Sequence, residues 1–347
     1  MNAKGTSLIF LVLIFWSCIT LLFDNATLVP AVRQYIAASY PSTDGTILSS
    51  AVSVTSGDEG DSYNLDVAYT YQVAGQIYEG PSYSYDKFSS FGSSGAYDFV
   101  AKHPAGTKLP VFYNPKNPGD AVLTTGLRGQ HLFMFTFMAP FNAVMLGFWF
   151  FGLNRVRARW FKPIAGGVKI ISRPRQTIAR LTEASPIMVA LFTIGLLAFL
   201  SVFLVLLFKG DHPPLRFMLI LWAGIVTIAI SASLWHQYKI LRGKYDLIID
   251  DLASTVELPL THGRKTRVRL PFSSVQGLHV ERIVQPDNEG GPPSYSYAPT
   301  LDINDGTLKS NRLVKWRDEE KAHDFVEWLR AKLPRKPAPA RPLAGRL

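Results

Sequence analysis

The stretch "SYNLDVAYTYQVAG", Ser62 to Gly75, decides how the N-terminal part of the chain is read. Tyr63, Leu65, Val67, Tyr69, Tyr71 and Val73 fall on one side of an extended backbone, with Asn64, Asp66, Thr70 and Gln72 on the other. A period of two is that of a strand with one face buried, here an aromatic one. Ala74-Gly75 interrupts it, and "QIYEGPSYSYD" reads as the returning arm of a hairpin. Upstream, "DGTILSSAVSV" predicts another strand with Leu48, Val52 and Val54 on one side. Downstream, "SSGAYDFVAKHPAG" predicts a short helix capped by Ser94 and stopped by Pro104 and Gly106. "TKLPVFY" and "AVL" predict two last strands. The steps Asn114-Pro115 and Asn117-Pro118 lie between them. Proline fixes φ and keeps its predecessor out of the helical region, while Asn side chains satisfy nearby backbone groups. These four residues predict a tight reversal.

Around this β pattern stand four uncharged runs, residues 5–23, 131–153, 186–208 and 217–235. At about 1.5 Å per residue each reaches roughly 30 Å, the thickness of a bilayer core. We read them as four membrane helices. The first, preceded by Lys4, reads as an uncleaved signal anchor, because its apolar core is long and no small-residue cleavage site follows in "DNATLVPAV". Basic residues set the orientation. Segment 154–185 carries eight Arg or Lys against the single acid Glu183, and Lys239, Arg242 and Lys244 follow the fourth run. Segment 24–130 instead has six basic and ten acidic residues. Both termini are therefore expected in the cytoplasm and residues 24–130 outside. On this reading the net charge of +10 reflects membrane topology, and no nucleic-acid partner is expected. Cys18, the one cysteine, cannot form an internal disulfide.

The order "DGTILSS", "VAYTYQVAGQIYEG", short helix, "PAGTKLPVFYNPKNPGDAVL" and then an apolar helix is similar to a bacterial membrane family, domain of unknown function 3592, over about residues 20–155. The resemblance implies a β-rich domain flanked by membrane helices. It brings no reaction.

After Tyr238 the pattern changes to short strands: "KYDLIID", "STVELP", "TRVRLP", "GLHVERIV", "SYAPTLDI" and "TLKSNRLVKW". Asn304-Asp305-Gly306 is a hairpin turn signal. "DEEKAHDFVEWLRAKL" predicts a C-terminal helix capped by Asp318, with Ala322, Phe325, Val326 and Leu329 as its apolar stripe. Antiparallel strands closed by one such helix resemble the pleckstrin-homology-like architecture, over about residues 243–333. Lipid or protein binding is what that resemblance implies. The tail 334–347, basic and proline-rich, reads as extended and disordered.

The expected architecture is thus an integral membrane protein with four α-helical spans and two β-rich domains. Its parts are membrane helix 1 (1–23), an extracytoplasmic α+β domain (24–130), membrane helix 2 (131–153), a basic cytoplasmic loop (154–185), membrane helices 3 and 4 (186–208 and 215–238), a cytoplasmic β domain with a C-terminal helix (243–333) and the tail. The expected location is the bacterial inner membrane.

Motifs for chemistry are missing. There is no G-x-S-x-G, H-E-x-x-H, Walker loop or G-x-G-x-x-G, and no two histidines lie within four residues of each other. As defined by the apolar runs, the spans hold no Asp, Glu or Lys, which argues against a pump. Asn142 is expected to make an interhelical hydrogen bond. Two groups are candidates for binding. Tyr83, Tyr85, Phe88 and Phe91 stand in a Tyr-, Ser- and Gly-rich stretch suited to adaptable contact, though a plain aromatic strand end explains them as simply. Arg155, Arg157, Arg159 and Lys162 are placed to touch anionic lipid headgroups. No cofactor and no catalytic residue is expected. The leading expectation is a non-enzymatic binding or assembly protein that joins envelope partners across the membrane. The alternative is a membrane immunity protein that blocks a toxin, and a hydrolase ranks third.

Overall fold

The computed structural model describes residues 3–57, 60–86, 93–160, 164–182, 184–210, 213–286, 293–304 and 308–333. It divides into two compact units, one of residues 1–148 and 191–229, the other of residues 149–190 and 230–347. Four helices are long and apolar enough to cross a membrane: Phe10–Ala37, Gly129–Asn154, Pro186–Lys209 and Leu215–Leu241.

The first unit opens with α1 (Ala3–Ala37). This helix does not stop at Phe23, where the apolar run ends, but continues through Asp24, Asn25 and Pro30. Residues 24–37 therefore belong to a helix and not to the β-rich domain. The candidate span includes Asp24 and Arg33, so the sequence reading of acid-free spans is corrected. Asn142 makes its interhelical bond to this acid, with Nδ2 donating to Asp24 Oδ1 at 2.9 Å.

An antiparallel sheet follows, with strands β1 (Ser42–Gly57), β2 (Gly60–Val73), β3 (Gln76–Gly80), β4 (Lys108–Asn114) and β5 (Asn117–Val122) in the order β3-β2-β1-β4-β5. The short helix α2 (Ser93–Lys102) packs on β1 and β2. The tyrosine alternation holds, and Val67, Tyr69 and Tyr71 are buried with Ile47 and Val111. Left-handed Ala74 and Gly75 make the two-residue hairpin turn between Val73 and Gln76. One detail differs from the alternation expected in β1. Register shifts between Ile47 and Ser49, which leaves Leu48 as an exposed bulge while Ile47 enters the core.

The sheet curls until its edge strands β3 and β5 approach each other. Two tyrosine hydroxyls from β2 close the gap. Tyr69 Oη donates to the Ala121 and Ser82 carbonyls, both at 2.9 Å, and Tyr71 Oη to the Pro118 carbonyl at 2.5 Å. A side chain at Gly80 would collide with the Tyr69 ring. The Asn-Pro reversal is the turn between β4 and β5. Asn114 pairs with Asn117, and Asn114 Oδ1 accepts from the Lys116 N–H at 3.0 Å. The chain then enters α3 (Gly129–Trp160), followed later by α4 (Pro186–Lys209) and α5 (Leu215–Leu241).

The second unit corrects the reading of 154–185 as a loop. α3 extends to Trp160, and a turn at Ile164–Gly167 leads into a hairpin of β6 (Lys169–Arg173) and β7 (Gln176–Arg180). That hairpin adds to β8 (Asp246–Asp250), β9 (Thr255–Glu257) and β10 (Arg269–Pro271) as a sheet of order β10-β9-β8-β7-β6. A second sheet joins β11 (Val275–Gln285), β12 (Ser294–Asn304) and β13 (Leu308–Arg312). Asp305 and Gly306 of the turn signal lie outside the described residues. The last helix, α6 (Glu319–Lys332), packs its Ala322, Phe325, Val326 and Leu329 stripe inward, and Asp318 caps it by accepting from the Lys321 N–H at 3.2 Å. Both sheets and α6 share one apolar core that includes Leu247, Ile249, Leu301, Leu313 and Phe325. The C-terminal β-domain is therefore discontinuous in sequence.

Candidate functional site

The densest polar arrangement in the first unit gathers where α1, the segment after β3, the end of β5 and the start of α3 meet. Arg33 and Gln34 come from one turn of α1. One Arg33 Nη donates to both oxygens of Asp120, at 2.8 and 2.9 Å, while its guanidinium lies 4.0 Å from the centre of the Tyr85 ring. The Tyr85 hydroxyl donates to Asp120 Oδ1 at 3.0 Å. Burial, then the bond to Asp120, pushes that hydroxyl well above the ordinary tyrosine value, so it acts as a donor and not as a nucleophile.

Gln34 is wholly buried, and both ends of its amide are engaged. Nε2 donates to the Thr124 carbonyl at 2.7 Å and Oε1 accepts the Tyr85 N–H at 3.1 Å. Its backbone carbonyl takes the Gly126 N–H at 2.9 Å. Beside it, His131 of α3 sits with Nε2 2.7 Å from Asp86 Oδ1 and Nδ1 accepting the Arg128 N–H at 2.9 Å. The hydrogen-bond pattern assigns the proton to Nε2. A His–Asp pair can orient a general base, but that role needs the second ring nitrogen free for a substrate or nucleophile. Here the second nitrogen is engaged by backbone. Arg128 completes the group by donating to Thr124 Oγ1 at 2.5 Å. The arrangement clamps two long helices to the sheet by fixed donors and acceptors.

Tyr83 and Tyr85, two members of the aromatic stretch, are thus packing and clamping residues. The Tyr83 ring meets Phe99 edge-on at 5.0 Å, and its carbonyl accepts from the Leu123 and Thr124 N–H groups. Phe88 and Phe91 lie outside the described residues, as does Lys162. Of the proposed lipid contacts, Arg157 is exposed near the end of α3, and Arg155 and Arg159 lie on the same helix. The reversal runs from Asn114 through Pro115 to Asn117, while Pro118 lies within β5 and gives its carbonyl to Tyr71. The composition of the Tyr-, Ser- and Gly-rich stretch singled out Tyr83 and Tyr85. It missed Arg33, Gln34, Asp120 and His131, which come from three other elements and carry no motif.

A second junction lies in the other unit. Ala165 and Gly166 are left-handed, and the turn Ile164–Gly167 lies against the start of α6. A Cβ on Gly166 would come within 2.5 Å of the Lys321 carbonyl, so this backbone-on-backbone contact requires glycine. Arg180 of β7 bonds Asp246 of β8 at 2.9 and 3.2 Å. That pairing, opposed by partial burial, strengthens Arg180's hold on its proton. At the end of α5, Lys239 lies over Trp235 and Arg242 over Tyr238, both at 5.1 Å. Among the described residues, no three His, Cys, Asp or Glu side chains converge as a metal site.

Four helices long and apolar enough to cross a membrane, with β-domains between and after them, are consistent with a multi-pass membrane protein. Residues 43–128 match a family model described as a domain of unknown function (DUF3592), which covers nearly all of the curled sheet and the Tyr85, Asp86, Asp120 and Arg128 part of the clamp, but not Arg33, Gln34 or His131. No curated protein and no solved structure matches the chain.

Proposed function

We propose that the protein is a non-enzymatic binding or assembly protein of the bacterial inner membrane, joining partners on its two sides. In this reading the curled sheet lies outside, the C-terminal β-domain and both termini lie in the cytoplasm, and the basic end of α3 faces anionic headgroups. The observation that carries it is α3, one helix from Gly129 to Trp160 between the last strand of one sheet and the first strand of the other. Its beginning is held by the His131–Asp86 bond. Beyond its far end in sequence, the Ile164–Gly167 turn packs on α6.

Support for the pleckstrin-homology-like reading is architectural. Two antiparallel sheets and a C-terminal helix share one core. Fold alone does not assign a ligand, so binding is tested directly. Crosslinking in living cells, from sites in the curled sheet and in the C-terminal β-domain, followed by mass spectrometry, should capture a different protein from each. Recovery of phospholipid alone from both would overturn the reading. Alkaline phosphatase fused within the 42–122 sheet should be active, and an inactive fusion would reverse the topology.

A further inference from the structure

β1 and β2 are 16 and 14 residues long, yet their neighbours flank only one end of them. β4 pairs with β1 from Ser42 to Thr46, and β3 pairs with β2 from Tyr69 to Val73. The next part of the β1 edge is closed by the chain ahead of β4. Ile47 N–H donates to the Thr107 carbonyl at 2.9 Å, Gly106 N–H to the Ile47 carbonyl at 2.8 Å, and Ser50 Oγ to the His103 carbonyl at 2.8 Å. Past Ser50 the pairing with β2 continues to Gly57 opposite Gly60. Among the described residues no third strand or loop backbone bonds to β1 there.

The result is a two-stranded ribbon, a form only marginally stable by itself in water, with a row of N–H and C=O groups on the edge Ala51–Gly57. Natural edges are usually guarded by lysine, proline or an inward charge. "AVSVTSG" has none of these. Its two faces differ. Val52 and Val54 stand across from Leu65 and Tyr63, and the Tyr63 ring meets Tyr97 of α2 at 6.1 Å. Val54 and Tyr97 are 45% and 52% exposed. On the other face Ala51 stands across from Asp66, and both are exposed.

We propose that the Ala51–Gly57 edge receives an extended segment of a partner protein as an added antiparallel or parallel strand. Its apolar side chains pack beside Val52 and Val54, and basic ones alternate on the Asp66 face. Main-chain bonds supply affinity in this mode and alternate side chains supply choice. The excess of acids over bases in 24–130 favours a basic segment over a second copy, which would bring the same acids. The inference rests on the linking role proposed above and specifies the chemistry of its outer partner.

The test uses the full chain in lipid nanodiscs and a synthetic peptide of alternating valine and lysine. Two comparison peptides replace lysine by glutamate or methylate alternate backbone nitrogens. Binding of the first, with isotope-edited infrared bands moving to the β-sheet position, is the expected result. The other two, and Val54→Lys protein, should bind about tenfold more weakly. Ile77→Lys, an exposed change on β3, should bind normally and controls for added charge. Equal binding of all three peptides, or normal binding by Val54→Lys, overturns the proposal. So does self-association of the protein that Val54→Lys abolishes, which would assign the edge to a second copy. If the peptide binds as expected while cell crosslinking captures no protein, the linking role fails and the edge stands. If crosslinking captures partners but edge and peptide changes have no effect, the reverse holds.

Discussion

The two β-domains solve the same problem with different chemistry. The N-terminal sheet is closed by hydroxyls, since Tyr69 and Tyr71 reach across its interior to carbonyls of β5 and of the segment after β3. The C-terminal domain is closed by apolar volume, with α6 laid over two sheets around Phe325, Leu301 and Ile249. The short helix α2 packs on β1 and β2, and a long side chain with a polar end bridges the edges of the curled sheet directly. Two sheets and a helix can instead bury a continuous apolar core. Hydroxyl bridges are directional and fail one at a time, whereas an apolar core is sensitive to volume.

The largest effect expected from that contrast is in the C-terminal core. Phe325 is fully buried and meets Trp316 edge-on at 5.5 Å. Phe325→Ala should cost about 3–5 kcal/mol, most of it as a cavity. Hydrogen exchange read by peptide should rise across β8, β12 and α6, with β1 and β2 unchanged. A loss below about 1 kcal/mol would show that the helix is not the closing element.

Next in size is the clamp. Gln34→Ala removes both amide contacts and leaves the half-buried Thr124 carbonyl and Tyr85 N–H without those partners, at about 1–3 kcal/mol. The expected signature is faster exchange at 83–86 and 123–128. If exchange rose across the whole sheet instead, the clamp would be part of the sheet's own stability.

Much of this division is legible in sequence, for identifiable reasons. The alternation from Tyr63 to Val73 and the Asn-Pro reversal are local signals, and both hold. The continuation of α1 past Phe23 is not local. Asp24 and Asn25 end the apolar run, and only contacts from Asp24 to Asn142, Arg33 to Asp120 and Gln34 to Thr124 show why the helix persists. The hairpin of β6 and β7 was hidden for a related reason. "KIISR" and "QTIAR" are short, their arginines resemble a topology signal, and their partner β8 lies beyond two further apolar helices. Arg180 counted as a loop charge proves to be the partner of a buried Asp246. The clamp was the least legible part, because its members come from separate elements and none belongs to a motif.

Tyr69→Phe tests the hydroxyl half of the contrast more gently. The ring stays to fill the interior, but the Ala121 and Ser82 carbonyls lose their shared donor. About 1–2 kcal/mol should be lost, with exchange rising in β5 and not in β12. Tyr71→Phe should cost less, because its hydroxyl serves one carbonyl among the described residues. An unchanged β5 in the Tyr69 variant would mean that the edges are held by packing alone.

The smallest and broadest effect is in the response to pH, where the two domains should fail at opposite ends. Burial pushes the Tyr69 and Tyr85 hydroxyls above their ordinary value in the folded state. Such a group favours folding while the unfolded tyrosine is still neutral. Its contribution is complete below about pH 10 and declines as pH rises further. In the C-terminal domain the hydrogen bonds from Arg312 hold Glu281 below the usual carboxylate range. That contribution is complete above about pH 4.5 and is lost as pH falls through the depressed value. The effect is modest because this pair is partly exposed. The tryptophan signal excludes the curled sheet, since β1–β5 contain none, and the part that changes in Trp316→Phe or Trp328→Phe reports the C-terminal domain, the other five lying in α1, α3 and α5. Alkaline titration followed by tyrosinate absorbance should show late-ionising tyrosines, with one fewer in Tyr69→Phe while Tyr85 still ionises late. Acid titration followed by tryptophan fluorescence should show an earlier transition in Arg312→Gln, which lacks the charge that stabilises the Glu281 carboxylate. If that variant instead matched the parent throughout the acid range, the Arg312–Glu281 pair would have no share in holding the C-terminal domain, and any ionic contribution would fall to other pairs such as Arg180–Asp246.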